Sequence, residues 1–240
     1  MSKIIAVCGS QGSGKTTAAL KVAQEIYYGK NGSVIYFSPD LNVPCMAYLF
    51  PHSKESELYS IGVALDKTDI TREDVVKQIV TVKTMRNFGF LGFKNGENRY
   101  SYPHPTEDKI TDLFQAMRDI ADFVVVDCTS DPDDLISNMA RVDAETVVQM
   151  ITPDLKCLAY YASQADQFVG IGDRCMKVMN IQEKDLYLPI QEVKGHFRDV
   201  NVVLPYSRAL KQQAITGTLS ERIGDTKYRA AAAMVAKAVI

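Results

Sequence analysis

The sequence of 240 residues predicts one α/β domain in which helices cover both faces of a mostly parallel sheet. Short runs rich in valine and isoleucine alternate with longer segments whose apolar residues recur at helical spacing. The short runs are apolar at consecutive positions, as expected for strands buried on both faces. Because no internal repeat or low-complexity linker separates the segments, we interpret residues 1–240 as a single domain.

The strands and helices can be placed in order along the chain. Predicted strands cover residues 4–8, 34–38, 123–127, 147–152, 175–180 and 200–204. Predicted helices cover residues 15–28, 73–85, 106–120, 155–168, 208–217 and 226–239. Between residues 87 and 108, glycine, asparagine and proline interrupt both the helical spacing and the strand alternation of apolar residues. This interruption predicts a strand end followed by a long loop. The alternation of elements favours right-handed crossovers between parallel strands.

Composition narrows the class of protein. Apolar residues make up 46% of the chain and charged residues 23%, the balance of an ordinary globular protein. The net charge of −2 gives no overall attraction to nucleic acid or anionic lipid. Five cysteines without a C-x-x-C spacing favour reduced thiols. No secretory signal and no run of about 18 apolar residues is evident, so we expect a cytoplasmic protein without a transmembrane segment.

A glycine-rich loop follows the first predicted strand. The stretch "GSQGSGKT" fits the pattern G-x-x-x-x-G-K-[ST], with a strand before it and a helix after it. Glycines let the backbone turn its N–H groups inward around an anion, and the helix N-terminus adds positive potential. The pattern therefore predicts a nucleoside triphosphate site with Mg²⁺. The predicted phosphate-binding residues are Gly9, Ser10, Gln11, Gly12, Ser13, Gly14, Lys15, Thr16 and Thr17.

Within this loop, individual side chains have separate predicted roles. Lys15 is expected to reach the β- and γ-phosphates, which makes it a candidate catalytic residue. The hydroxyl of Thr16 is expected to ligate Mg²⁺, and Thr17 is expected to contact the α-phosphate.

Two aspartates follow predicted strands. Asp127 ends the apolar run in "DFVVVD", at the edge where open α/β sheets bind ligands, and is predicted to hold the water shell of Mg²⁺. Asp40 lies just past the second strand, where a carboxylate can orient or deprotonate an attacking water. The alternative for each is a purely local role in a turn. The acidic residues that follow Asp127 are interpreted as turn and helix-start residues, namely Asp131, Asp133 and Asp134.

Four stretches in this order resemble the MinD/ParA family of ATPases, including the CpaE/TadZ proteins that localise pilus machinery. They are "GSQGSGKTT", "VIYFSPDLN", "DFVVVDCTSDPDD" and "VVQMITPDLKCLAYYAS", and the likeness is weakest between about 50 and 110. The resemblance implies an ATP-dependent switch that forms a homodimer face to face across nucleotide. It also implies that Asp40 activates water, that Asn180 in "KVMN" contacts adenine, and that Pro205 in "VVLPYSRALKQQAITG" packs on the base.

The loop departs from the family pattern at the position of a signature lysine. The family reads K-G-G-x-G-K-[ST], and that first lysine reaches the partner's nucleotide; here the position holds Ser10, followed by Gln11. A cation supplied in trans is worth roughly 10³ to 10⁵ in the rate of phosphoryl transfer. Ser38 also replaces the first acid of the family's D-x-D. We therefore expect slow hydrolysis, or a cation from elsewhere in the chain or from a partner.

The expected function is that of a Mg·ATP-binding, slow ATPase that positions or partitions a protein partner or DNA. One alternative is a nucleotide-gated scaffold with little hydrolysis. Another is a P-loop kinase or other phosphoryl transferase, which needs an arginine-rich lid, whereas residues 70–105 offer only Arg72, Arg86 and Arg99. Five basic residues offer a patch that DNA could contact, but interleaved apolar and acidic residues favour a solvated surface. Its members would be Arg208, Lys211, Arg222, Lys227 and Arg229.

Overall fold

An eight-stranded sheet forms the centre of the structure, a computed structural model that describes residues 2–30, 32–184 and 190–240. The strands lie in the order β3-β4-β2-β5-β1-β6-β7-β8. Every neighbouring pair is parallel except β3 and β4, so the predicted, mostly parallel sheet is confirmed. The strands are β1 (Lys3–Gly9), β2 (Val34–Ser38), β3 (Val80–Val82), β4 (Met85–Gly92), β5 (Phe123–Asp127), β6 (Thr146–Ile151), β7 (Cys175–Asn180) and β8 (Val202–Leu204).

Helices pack on both faces of this sheet. Along β1, Ile5 and Val7 lie in the core under the helices at 15–29 and 226–239, whereas Ile4 and Ala6 lie in the core under the helices at 107–120 and 135–143. This alternation is what period-2 side chains require of a strand between two helical layers. The helices are α1 (Lys15–Gly29), α2 (Met46–Leu49), α3 (Gly62–Leu65), α4 (Arg72–Val76), α5 (Glu107–Ile120), α6 (Leu135–Asp143), α7 (Leu155–Ser163), α8 (Ile190–Phe197), α9 (Arg208–Thr216) and α10 (Thr226–Val239).

The predicted helix over residues 73–85 is wrong. The helix there, α4, ends at Val76, and the chain continues into β3 and β4. The apolar residues Val76, Ile79 and Val80 have helical spacing, but a turn after α4 separates Val76 from Val80, which lies in β3. Phe88 and Phe90 are fully buried in β4, which pairs in parallel with β2. Burial of these aromatic residues in the sheet favours strands in this region and outweighs the local helical pattern.

Smaller differences concern the ends of elements. The predicted helix 155–168 ends at Ser163 and is followed by a single 3₁₀ turn at Ala165–Phe168. The last predicted strand, 200–204, begins at Val202. Asp134 accepts a hydrogen bond from the backbone N–H of Ser137 and so caps α6, which confirms its role at a helix start.

The parallel strands bring distant residues to the same edge of the sheet. Val7 of β1 lies opposite Asp127 of β5, so the loop after β1 leaves the sheet beside that carboxylate. Strands β2 and β7 also end at this edge, with Ser38 and Asn180 as their last residues. None of the helices in the described part of the chain has the length and apolar character needed to cross a bilayer.

Candidate nucleotide site

The glycine-rich loop between β1 and α1 has a backbone that only glycine adopts without strain at two positions. Gly12 and Gly14 have φ angles of 79° and 76°. A Cβ atom on Gly14 would also lie 2.5 Å from Nδ2 of Asn180. Helix α1 then begins at Lys15 without a side-chain cap, so the N–H groups of its first turn lack intrahelical acceptors. This arrangement suits a bound anion.

Two amide side chains fasten the loop from the opposite side. Asn180 Nδ2 donates to the backbone oxygen of Ser13 at 2.9 Å, and Gln182 Nε2 donates to the oxygen of Gly12 at 2.7 Å. Both amides follow or end β7, two strands away from β1 in the sheet. The loop is therefore held in shape by contacts that no local sequence pattern contains.

The lysine of the loop is hydrogen-bonded to the segment after β5. Lys15 Nζ donates to Oγ of Ser130 at 2.6 Å, and the hydroxyl of Ser130 donates to the backbone oxygen of Gly9 at 2.9 Å. The predicted phosphate-binding lysine thus lies beside the start of its own loop, on the side where β5 ends.

Asp127 is buried beside the loop, with 3% of its surface exposed. Its Oδ2 accepts a hydrogen bond from the hydroxyl of Tyr36 at 3.0 Å, while its buried Oδ1 has no partner in the described part of the chain. Burial raises the pKa of Asp127 to about 6, against the opposing effects of nearby Thr16 and Lys15. An unpaired carboxylate oxygen near a threonine hydroxyl fits Mg²⁺, which prefers oxygen ligands and completes its shell with water and phosphates.

Within the described residues, no cluster of three or more histidine, cysteine, aspartate or glutamate side chains could hold a metal ion.

Asp40 lies just beyond β2, half-buried, and acts on its own turn. Its Oδ1 accepts hydrogen bonds from the backbone N–H groups of Asn42 and Val43, at 2.8 and 3.0 Å. Its charge also contributes to the raised pKa of Asp127, which places the two carboxylates in the same region. The structure therefore shows that Asp40 stabilises its own turn close to Asp127, and its role toward an attacking water stays a prediction.

The position of the signature lysine is occupied by a buried side chain. Ser10 has 4% of its surface exposed, whereas the neighbouring Gln11 is exposed. Neither residue carries a positive charge, so the loop supplies Lys15 as its only cation.

A cleft of about 360 Å³ extends from the loop toward β8 and α9. Its volume lies in the range of small-molecule and cofactor sites. Asn180 and Pro205, the two residues expected at the adenine, both line it. Residues that the sequence did not single out complete the wall opposite the phosphate loop, namely Ile181, Tyr206, Ser207, Leu210, Ala214 and Tyr228.

Sequence reasoning missed three side chains that shape the site: Tyr36, Ser130 and Gln182. A signal existed for Tyr36, because a strand places it on the same face as Ser38, two positions before the candidate Asp40. Ser130 and Gln182 lie shortly after strand ends at the binding edge, where polar residues are expected to face a ligand. Their particular partners depend on contacts 115 and 170 positions apart in the chain.

The strand, glycine loop and helix, together with the aspartate that ends the neighbouring strand, define the α/β fold of the P-loop NTPases. Sequence comparison gives no match, either to a family model or to a curated protein. Comparison with solved structures is more informative: the chain has the fold of the MinD and ParA ATPases. All the identities below are under 20%, so this likeness concerns the fold.

Three of these structures match almost the whole chain. MinD from Pyrococcus horikoshii, a septum site-determining protein complexed with Mg-ADP, gives a TM-score of 0.76 at 16% identity, over 100% of this chain and 96% of that chain. A ParA family ATPase from Chlorobium tepidum gives 0.73 at 11% identity, over 99% of each chain. The MinC:MinD cell division complex from Aquifex aeolicus gives 0.73 at 14% identity, over 99% of this chain and 95% of that chain.

Proposed function

We propose that this protein is a MinD/ParA-like switch that binds Mg·ATP, forms a homodimer across the nucleotide, and hydrolyses it slowly to release a partner. The observation that carries the proposal is the buried Oδ1 of Asp127, which has no partner among the described residues and lies beside the loop that presents Lys15 and Thr16. A buried carboxylate oxygen without a partner is costly, and a hydrated cation would satisfy it. A MinD of the same fold is known as a complex with Mg-ADP.

Each residue has a defined part in this proposal. The backbone N–H groups of residues 9–17 surround the phosphates, Lys15 supplies the fixed positive charge, and Thr16 and Asp127 hold Mg²⁺. Bound Mg²⁺ would offset the negative charge on the phosphate oxygens. Asp40 would orient the attacking water, and Asn180 and Pro205, which line the cleft, would contact the base.

The proposed partner is a protein rather than DNA. Of the residues that could form a basic patch, Arg222 donates to the carboxylate of Glu25 at 3.1 Å and lies over the ring of Tyr28. Its charge is therefore already compensated within the fold. A MinD in the same structural group is known in complex with MinC, which supports a protein partner for this fold.

A second candidate is a nucleotide-gated scaffold with little hydrolysis. It is favoured by the buried Ser10 at the lysine position and by the two backbone contacts of Asp40 Oδ1. It predicts ATP-dependent dimerisation without phosphate release over minutes. A phosphoryl transferase is less well supported, because the region around Arg72 and Arg86 forms α4, β3 and β4, which extend the sheet.

Calorimetry and sizing test the proposal together. The folded protein should bind Mg·ATP, and its apparent mass by light scattering should double when Mg·ATP is present. Lys15→Ala should weaken the binding of Mg·ATP and prevent the doubling of the mass, whereas Lys30→Ala, an exposed lysine just past the other end of the same helix, should leave both unchanged. Absence of binding to adenine and guanine nucleotides by the folded wild type would reject the proposal.

A further inference from the structure

Ser130 joins the two ends of the phosphate-binding loop. It accepts a hydrogen bond from Lys15 Nζ at 2.6 Å and donates one to the backbone oxygen of Gly9 at 2.9 Å. Residues 9 and 15 are the first glycine and the lysine of the loop motif, so a single hydroxyl bridges the whole turn. Neither the motif nor the aspartate on β5 requires a serine at this position.

The contact with Ser130 conflicts with the role of the lysine. A lysine ammonium has three N–H donors and no acceptor, and Ser130 is the hydrogen-bond partner that Lys15 has within the described residues. The bond to Ser130 uses one of these donors and holds the ammonium on the side of the segment after β5, whereas a bound triphosphate needs the ammonium directed at its phosphate oxygens. A neutral hydroxyl is a weaker acceptor than a phosphate, so the ligand can displace it.

We propose that Ser130 is a positioning residue that holds Lys15 in the nucleotide-free site and competes with the phosphates for its ammonium group. The inference rests on the proposed nucleotide site. Only the fraction of molecules in which Lys15 has left Ser130 is ready to bind, and this lowers the apparent affinity.

The competition also gives the segment after β5 a way to sense occupancy. Ser130 lies between Asp127 and Asp134, the cap of α6. When Lys15 moves to the phosphates, Ser130 loses its hydrogen bond to the lysine and retains the bond to Gly9. The anchor on its other side, from the N–H of Thr129 to Oγ of Ser137 at 2.8 Å, is independent of the nucleotide.

The test is the dissociation constant of Mg·ATP, measured by calorimetry. Ser130→Ala should bind on the order of tenfold more tightly than wild type, since it removes a hydrogen bond to a charged group from the empty state. Ser130→Thr keeps the hydroxyl and should stay close to wild type. Ser163→Ala, an exposed serine on α7, is the matched control and should leave the affinity unchanged. If Ser130→Ala does not fold, Ser130→Cys replaces it, because a thiol is a poor acceptor.

The direction of the effect separates competition from a purely structural role. Loss of the Gly9 contact alone would loosen the loop and weaken binding. In a Lys15→Ala background, removal of the Ser130 hydroxyl should no longer tighten binding. Unchanged or weaker binding by Ser130→Ala, or tightening that persists without Lys15, would overturn the inference. A wild type that binds no nucleotide would instead reject the proposed function.

Discussion

The hydroxyl of Tyr36 donates a hydrogen bond to Oδ2 of Asp127 at 3.0 Å, and the two residues lie 91 positions apart on the neighbouring strands β2 and β5. Both side chains are buried. The bond fixes one oxygen of the carboxylate and leaves the other, Oδ1, directed at no partner among the described residues. The carboxylate is therefore oriented before any ligand binds, at a cost to the stability of the empty protein.

That cost predicts the behaviour of Asp127→Asn. The pKa of Asp127 is raised by burial from 3.8 to about 6, a difference equivalent to about 3 kcal/mol. For an acid with a raised pKa in the folded state, stability is present below the unfolded pKa and is lost as the pH rises through 6. Asn has no charge to bury. We expect Asp127→Asn to be more stable than wild type by about 3 kcal/mol at pH 8 and by little at pH 4.

Denaturant unfolding of the nucleotide-free protein at the two pH values measures this difference. The other carboxyl groups are the same in both proteins, so their contributions cancel in the difference between the two free energies of unfolding. The same variant should lose the effect of Mg²⁺ on ATP binding. An equal free energy of unfolding of the two proteins at pH 8 would show that burial of the charged Asp127 carboxylate does not destabilise the wild type.

Tyr36→Phe should move the pH at which Mg²⁺ assists binding. The Tyr36 hydroxyl is one of the groups that lower the pKa of Asp127, so its removal raises that pKa further. Because Mg²⁺ binds the ionised carboxylate, the Mg²⁺-dependent part of ATP affinity should appear at a higher pH than in wild type. Titration of ATP with and without Mg²⁺ between pH 5 and pH 8 measures the midpoint. Tyr100→Phe, an exposed tyrosine, is the control, and a shared midpoint would contradict the role of Tyr36.

The site divides into parts that the sequence could and could not predict. The loop at 9–17 and Asp127 were predictable because their chemistry lies in short segments next to recognisable strands. Tyr36, Ser130 and Gln182 lie where polar residues are expected, but their hydrogen-bond partners were not predictable, since these depend on which strands become neighbours in the sheet. The same reason explains β4: its two buried phenylalanines take their place from packing beside β2, whereas the helical pattern that precedes them is purely local.

Asp40→Asn should separate binding from turnover. Asparagine keeps an oxygen that can accept the hydrogen bonds from the N–H groups of residues 42 and 43, so the turn is preserved. It removes the charge that activates water, and general-base catalysis contributes roughly 10² to 10⁴ in rate. We expect ATP affinity to stay at the wild-type value while phosphate release falls by that order. Asp133→Asn, an exposed aspartate beyond β5, is the matched control. Equal rates of phosphate release in Asp40→Asn and wild type would remove Asp40 from the mechanism.

Asn180→Ala tests whether this side chain serves the base or the phosphates. The family resemblance assigns Asn180 to adenine, and it does line the cleft. Its amide nitrogen, however, donates to the oxygen of Ser13 and so supports the phosphate loop itself.

Substitution of a residue that contacts only the base would change the affinity for ATP and leave the affinity for pyrophosphate unchanged. We expect Asn180→Ala to weaken both, because the buried oxygen of Ser13 loses its donor and the loop loses its shape. Gln182→Ala, which removes the adjacent and more exposed contact to Gly12, should have a smaller effect on both ligands. Calorimetric titration of wild type, Asn180→Ala and Gln182→Ala with Mg·ATP and with pyrophosphate measures the loss of affinity for each ligand. An unchanged pyrophosphate affinity in Asn180→Ala would return Asn180 to a role at the base alone.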